Sequence, residues 1–276
     1  MAYILNAPED FAREALAGFA AANAEVVTHL GGGVLARTPS GNRRVGVVTG
    51  GGSGHYPAFA GFVGTGMADA AVAGNVFASP ASDTIAHIAR HAAGAGGVLF
   101  CFGNYAGDVM QFGAAASLLE AEGIPCETVL VTDDISSSPR ESAALRRGVA
   151  GDLFVLKILG AAADRGMTLD ELAEVGRRAN AATTTLGVAF TGCTLPGDVK
   201  PLFEVAPRTM ALGLGIHGEP GLSQGDVLSA DELAAVMLER LLLERVENRH
   251  AAVIVNGLGA VKYEELFVLY GSVSKR

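Results

Sequence analysis

The feature that most constrains this chain is an alternation. Short apolar, β-branched runs end in glycine-rich loops, and each loop leads into a segment of helical period. Arg43-Arg44 lead into Val45-Gly46-Val47-Val48-Thr49, which by length and β-branching predicts a buried strand. Gly50-Gly51-Gly52-Ser53-Gly54-His55-Tyr56-Pro57 follows and reads as a loop rather than regular structure. Ser79-Pro80 opens a helix to about Ala92, and Gly97-Val98-Leu99-Phe100-Cys101-Phe102 predicts a second strand. Asn104-Tyr105-Ala106-Gly107-Asp108 then leads into a helix to about Glu122, and Glu127 to Val131 predicts a third strand. Such an alternation implies a largely parallel sheet with crossover helices. Ligands bind such sheets where loops leave the carboxyl ends of the strands. The loops at 50–57 and 103–108 both stand there.

The rest of the chain extends this pattern. Asn6-Ala7-Pro8 suits the start of a helix over Glu9 to Ala21. Further helices are expected near Ala150–Asp164 and Thr168–Thr183, with Thr168 and Glu171 spaced as a capping box. The polar, turn-rich residues 133–148 read as a flap. Near Thr185 the pattern restarts. Strands are expected at Gly187–Thr191, Met210–Ile216 and Ala252–Asn256, and helices at Ala230–Val246 and Tyr263–Arg276. The expected fold class is therefore α/β: two α/β domains with mixed, largely parallel sheets and flanking helices. The boundary is placed near 185, giving domains 1–185 and 186–276, the second lean for a core of its own.

Composition excludes several functional classes. Of 276 residues, 20 are Lys or Arg and 29 are Asp or Glu, a formal charge of −9 with no basic run. Neither nucleic acid nor an anionic membrane surface is an expected partner. Hydrophobic residues make up 50%, too many for disorder, but no apolar stretch approaches the roughly 20 residues of a membrane span. Glu9 and Asp10 near the start, without a basic n-region, argue against a secretory signal, so a cytoplasmic location is expected. Cys101, Cys126 and Cys193 stand far apart, with no CxxC or Cys/His cluster, so neither a disulfide framework nor a metal site is expected.

Three post-strand loops hold the residues that can carry chemistry. The first bears three glycines and His55; either its backbone N–H groups converge on a ligand, or it is a tight turn with a solvated histidine. The second bears Asp108, a base or simply a carboxylate favoured at a helix N-terminus. The third bears His217 at the end of an apolar strand, a nucleophile or a satisfied core histidine. Burial disfavours a charged imidazole, and the neutral ring is the form that attacks or accepts a proton. His29, His87, His91 and His250 read as surface residues. Familiar motifs fail: no Gly-Lys pair exists for a Walker loop, and His55 stands where both GxSxG and GxGxxG need glycine.

Several stretches together resemble the substrate-binding K unit of the dihydroxyacetone kinase family. They are Gly50 to His55, Ala60 to Met67, Asp69 to Gly74, Asn104 to Asp108, Arg146 to Gly151, Gly213 to Gly221 and Asn256 to Gly259, in order and covering about 10–272. The resemblance implies a two-domain α/β fold that binds a short ketose, with a histidine holding it as a covalent hemiaminal. By motif that histidine is His217; Asp108 is the base at the terminal hydroxyl, and His55 assists by hydrogen bonding and proton transfer. Gly52, Ser53 and Gly54 would line the sugar. The resemblance implies no cofactor on this chain. The donor would sit on a nucleotide-binding L unit, as ATP with Mg²⁺ or as bound ADP recharged by the phosphotransferase system. A homodimer is likewise implied, and so is a dihydroxyacetone kinase activity tied to glycerol metabolism.

Three departures qualify that expectation. Tyr56 stands where the family's Gly-His-Glu-Pro has glutamate, and Gly103 where well-known members have lysine. This implies a pocket remodelled for a longer ketose such as erythrulose. The chain also stops short of where family K units continue, so the second domain is expected to be C-terminally shortened. Two other readings remain: a non-catalytic K-like regulator, and a serine hydrolase built from Ser53, His55 and Asp108.

Overall fold

The computed structural model describes residues 3–38, 43–244 and 250–276. The chain divides into two compact units. The larger comprises residues up to Val131 together with Gly151–Thr183, and the smaller comprises Thr132–Ala150 with Thr184–Arg276.

The larger unit holds α1 (Phe11–Ala22), β1 (Val27–Leu30), β2 (Gly33–Ala36), β3 (Gly46–Ser53), β4 (Ala70–Val76), α2 (Ser82–Ala92), β5 (Val98–Gly103), α3 (Ala106–Ala121), β6 (Cys126–Val131), α4 (Asp152–Asp164) and α5 (Leu169–Ala181). Its six strands run in the order β1-β2-β4-β3-β5-β6. The pairs β3–β4, β3–β5 and β5–β6 are parallel, while β1–β2 and β2–β4 are antiparallel. Successive side chains of a strand face opposite ways. So Val47, Leu99 and Cys101 join one core with Leu16 of α1, Leu156 and Leu159 of α4, and Leu172 of α5. Val48, Phe100 and Phe102 join another with Ile85 and Ile88 of α2 and Phe112 and Leu119 of α3. The sheet is covered on both faces, as parallel strands require.

Strand β3 runs further than its sequence suggests. The glycines expected to form a loop are its carboxyl half, with Gly50 paired to Val72 and Gly51 to Ala73 of β4. The cause is close approach rather than turning. A Cβ on Gly50 would lie 2.4 Å from the Val72 carbonyl oxygen, and one on Gly51 would lie 2.6 Å from Phe59. Only Gly54 has a left-handed backbone, at φ 99°. The helix α5 carries the expected capping box, with Thr168 and Glu171 exchanging bonds of 2.9 and 3.4 Å.

The smaller unit departs from the largely parallel expectation. Its strands β7 (Val188–Ala189), β8 (Thr209–Leu212) and β9 (Ser223–Asp226) form a three-stranded antiparallel sheet. A parallel crossover needs a dozen or more residues, usually a helix. Only residues 213–222 join β8 to β9, and no α-helix lies between β7 and β8. Helices α6 (Ala230–Leu243) and α7 (Tyr263–Ser274) complete the unit. The far end of the expected helix to Val246 lies outside the described residues. Ala252–Asn256, expected as a strand, pairs with none of the described strands. A β-branched run without a neighbouring edge has nothing to make it a strand. The expected flap at 133–148 is instead anchored by buried Asp133, Asp134 and Arg146. Among the described residues no helix is long and apolar enough to cross a membrane.

Phe112 lies fully buried, stacked on Phe102 at 4.2 Å and edge-on to Phe100 at 5.4 Å. Urea denaturation of Phe112→Ala should show a loss of about 3–5 kcal/mol. Met110→Ala, two residues away on the exposed side of the helix, should stay within about 0.5 kcal/mol. Equal losses would contradict this packing.

Candidate active site

The carboxyl edge of the larger sheet carries the first group of candidate residues. β3 and β5 are parallel neighbours, so the segments that follow Ser53 and Gly103 leave the same edge. The segment after β4 joins them. Phe77 donates its backbone N–H to the Ser53 carbonyl at 3.0 Å. A Cβ on Gly52 would lie 2.8 Å from the Ala78 nitrogen, and one on Gly107 would lie 2.7 Å from the Ser79 hydroxyl. Glycine at both positions thus lets the three segments close on one another.

Within that edge each candidate has a distinct environment. The His55 ring is half-buried and stacks on Phe77, with centroids 4.8 Å apart and planes 14° off parallel. The Ser53 hydroxyl donates to the Gly74 carbonyl at 2.7 Å. That commits its proton to the backbone and leaves its lone pairs as acceptors. Asp108 is buried in the first turn of α3, where the helix N-terminus favours a negative charge. Tyr56 is exposed and sits edge-on to Phe19 of α1 at 6.1 Å. Gly103 is the last residue of β5 and is buried.

His217 belongs to the smaller unit, in the turn between β8 and β9. Gly218 at φ 90° reverses the chain so that Glu219 folds back on His217. The Glu219 carboxylate accepts from the His217 backbone N–H at 3.0 Å through Oε2 and meets ring Nδ1 at 3.0 Å through Oε1. Burial pushes the Glu219 carboxyl up. The hydrogen bonds from the His217 ring and from backbone N–H groups, with the attraction of the ring's charge, outweigh it and bring the pKa down to about 2. An ionised carboxylate only accepts, so Nδ1 carries the proton. In the neutral ring the lone pair is then on Nε2, a nucleophilic nitrogen on a side chain 24% exposed.

The Dak1 domain matches residues 17–276 of the chain. The chain belongs to the Dak1 family. It is 53% identical to the L-erythrulose kinase of Pectobacterium atrosepticum, over all of this chain and 48% of that protein. The D-erythrulose kinase of Mycolicibacterium smegmatis is 50% identical, again over all of this chain and 48% of that protein. The chain therefore spans about half the length of these relatives. It is 41% identical to the dihydroxyacetone-binding subunit of a phosphotransferase-dependent dihydroxyacetone kinase of Listeria innocua, covering 99% of this chain and 84% of that subunit. Among solved structures, the dihydroxyacetone kinase from C. freundii superposes with a TM-score of 0.91 at 34% identity, over 99% of this chain and 51% of that one.

Around His217 this Dak1 chain places residues that sequence reasoning passed over. Glu219 and Arg147 were visible only as members of motifs, and Asp134 only as part of a flap. Arg147 pairs with Asp134 at 2.7 Å and lies 3.7 Å from Glu219. The one local signal was His-x-Glu across a glycine, a spacing that a reversing turn brings into contact. Among the described residues no cluster of three or more His, Cys, Asp or Glu is arranged to hold a metal ion.

A depressed carboxyl makes folding pH-dependent. The Glu219 pKa lies near 2 when folded, against an ordinary 4.5. Its contribution is complete above the ordinary value and is lost as pH falls towards 2. The stability advantage of the native chain over Glu219→Gln should be widest near pH 6 and narrow steadily below pH 4.5, followed by denaturation midpoints. A gap unchanged down to pH 3 would contradict the hydrogen-bonded carboxylate.

Proposed function

We propose that this Dak1 chain is the ketose-binding part of a ketose kinase, and that its sugar is an erythrulose. The observation that carries the reading is the ionised Glu219 against His217 Nδ1, which leaves Nε2 as the attacking atom. Nε2 donates its lone pair to the ketone carbon, and the carbonyl π electrons move to oxygen, which takes up a proton. The ring regains neutrality by releasing the proton from Nδ1, so the hemiaminal forms with no net gain or loss of protons.

Covalent capture suits a small, flexible substrate. It holds one end firmly where a few hydroxyl contacts would leave the sugar free to turn. It also selects ketones over polyols, which cannot form the adduct. Asp108 then accepts the proton of the terminal hydroxyl as that oxygen attacks phosphorus. His55, its plane held by Phe77, donates to the sugar, and the Ser53 lone pairs with the Gly52–Gly54 backbone line it. The phosphoryl donor is held by a nucleotide-binding L unit, as ATP with Mg²⁺ or as bound ADP first rephosphorylated by the phosphotransferase system, and ADP is the leaving group.

Two things favour erythrulose over dihydroxyacetone. Relatives named for erythrulose are 50–53% identical, against 41% for a dihydroxyacetone-binding subunit. Gly103 also places no side chain at the end of β5, where well-known family members have lysine.

A ¹³C NMR titration with carbonyl-labelled erythrulose should move the ketone signal to the tetrahedral region. His217→Ala, shown folded by circular dichroism, should abolish that shift. Dihydroxyacetone should give the same shift with weaker binding. Tighter binding of dihydroxyacetone than of either erythrulose enantiomer would return the substrate to dihydroxyacetone. No adduct with any ketose from the folded native chain would refute covalent capture and favour a regulatory Dak1 protein. One such relative is the co-activator of a dihydroxyacetone kinase operon, which superposes with a TM-score of 0.86 at 32% identity.

A further inference from the structure

We infer that Arg147 is a positioning residue for His217, acting through Glu219, and that Gly215 is glycine because their ion pair occupies the space a side chain would need. The inference rests on the reading of His217 as the nucleophile.

Arg147 is held from three directions. Its Nη2 lies 2.7 Å from Asp134 Oδ2, and its Nε donates to the same oxygen at 3.0 Å. Nη2 also reaches the Gly213 carbonyl at 3.4 Å. Asp134 is fixed in turn: its carboxylate accepts the Ser136 backbone N–H at 2.9 Å and the Ser136 hydroxyl, and its own N–H donates to the Arg147 carbonyl at 3.1 Å. The Arg147 backbone N–H donates to the Ser137 hydroxyl at 3.0 Å. The two side chains are only 12% and 5% exposed, so the guanidinium has little freedom.

What remains of that guanidinium faces the site. Nη1 lies 3.7 Å from Glu219 Oε2, too long for a hydrogen bond but within reach of an ion pair in a partly buried setting. Oε2 is the oxygen that accepts the His217 backbone N–H, while Oε1 meets the ring. Arg147 therefore sits on the oxygen away from the imidazole. It steadies the carboxylate, and Oε1 remains aimed at Nδ1.

Gly215 supplies an independent observation. A Cβ there would lie 2.1 Å from Glu219 Oε2 and 2.3 Å from Arg147 Nη1, between the two charges. Its backbone is not in the left-handed region that favours glycine. The nearest atoms are the ends of these two charged side chains, so a methyl group there would push the pair apart.

The test combines Gly215→Ala with Arg147→Lys, which keeps the charge but loses the fork. The first readout is the ¹⁵N shifts of the His217 ring, which report the tautomer without any ketose. The second is adduct affinity for carbonyl-labelled erythrulose, alongside urea stability. Both variants should lose the uniform Nδ1–H tautomer and bind erythrulose about 10- to 100-fold more weakly, the range typical for residues that orient a first-contact group. A variant that lost stability but kept tautomer and affinity would overturn the positioning role while leaving the nucleophile intact. A native ring protonated at Nε2, or a native chain that forms no adduct, would instead refute the nucleophile and this inference with it.

Discussion

The larger unit depends on one constraint: the carboxyl half of β3 carries no side chains until Ser53. Gly50, Gly51 and Gly52 leave room for the Val72 carbonyl, the Phe59 ring and the Phe77–Ala78 backbone, each within 3 Å of where a Cβ would stand. Two consequences follow from that emptiness. The strand stays paired with β4 to the rim of the sheet, through a register shift between Gly51 and Ser53, and the segments after β4 and β5 close over it. His55 can then stack on Phe77, and Asp108 enters the helix that begins beside Ser79. A single methyl group on β3 would separate the elements that bring these residues to one edge.

The parts of this fold that were legible in sequence are those whose pattern is set by burial on both faces. β5 is buried at all six positions, and its unbroken apolar run could be read directly. β4 was not legible, because Ala70-Ala71-Val72-Ala73-Gly74 has little β propensity and becomes a strand only between β2 and β3. The hairpin β1–β2 was missed for a related reason, being short, mixed in polarity and defined by its partner. The glycine run misled in the opposite direction. Consecutive glycines usually signal a turn, whereas here they signal crowding, which only the neighbouring elements reveal.

The site divides in the same way. His55, Asp108 and His217 stand out in the sequence because each ends a strand-and-loop pattern and matches a family motif. The residues packed around His217 do not. Arg147 stood only in a family motif and Asp134 only in the expected flap, since charged residues are almost never buried unless paired and this pairing spans 13 positions of chain. Gly215 is required for a contact between residues 147 and 219 and leaves no local trace. Long-range polar partners are where reading a sequence by pattern stops.

The balance at Glu219 explains why that surrounding is polar rather than apolar. Burial alone would raise its pKa and favour a protonated carboxyl, which would donate to Nδ1 and leave the ring proton on Nε2. Hydrogen bonds reverse the sign, and the carboxylate stays a weak base near 2. In the proposed capture the neutral ring gains a positive charge as Nε2 bonds to carbon. The Nδ1–H to Glu219 bond is then charge-assisted on both sides and strongest at that moment. An interaction that strengthens in the transition state accelerates the step, where one equally strong throughout would not. A weak base held in place by other donors thus serves the reaction better than a strong one.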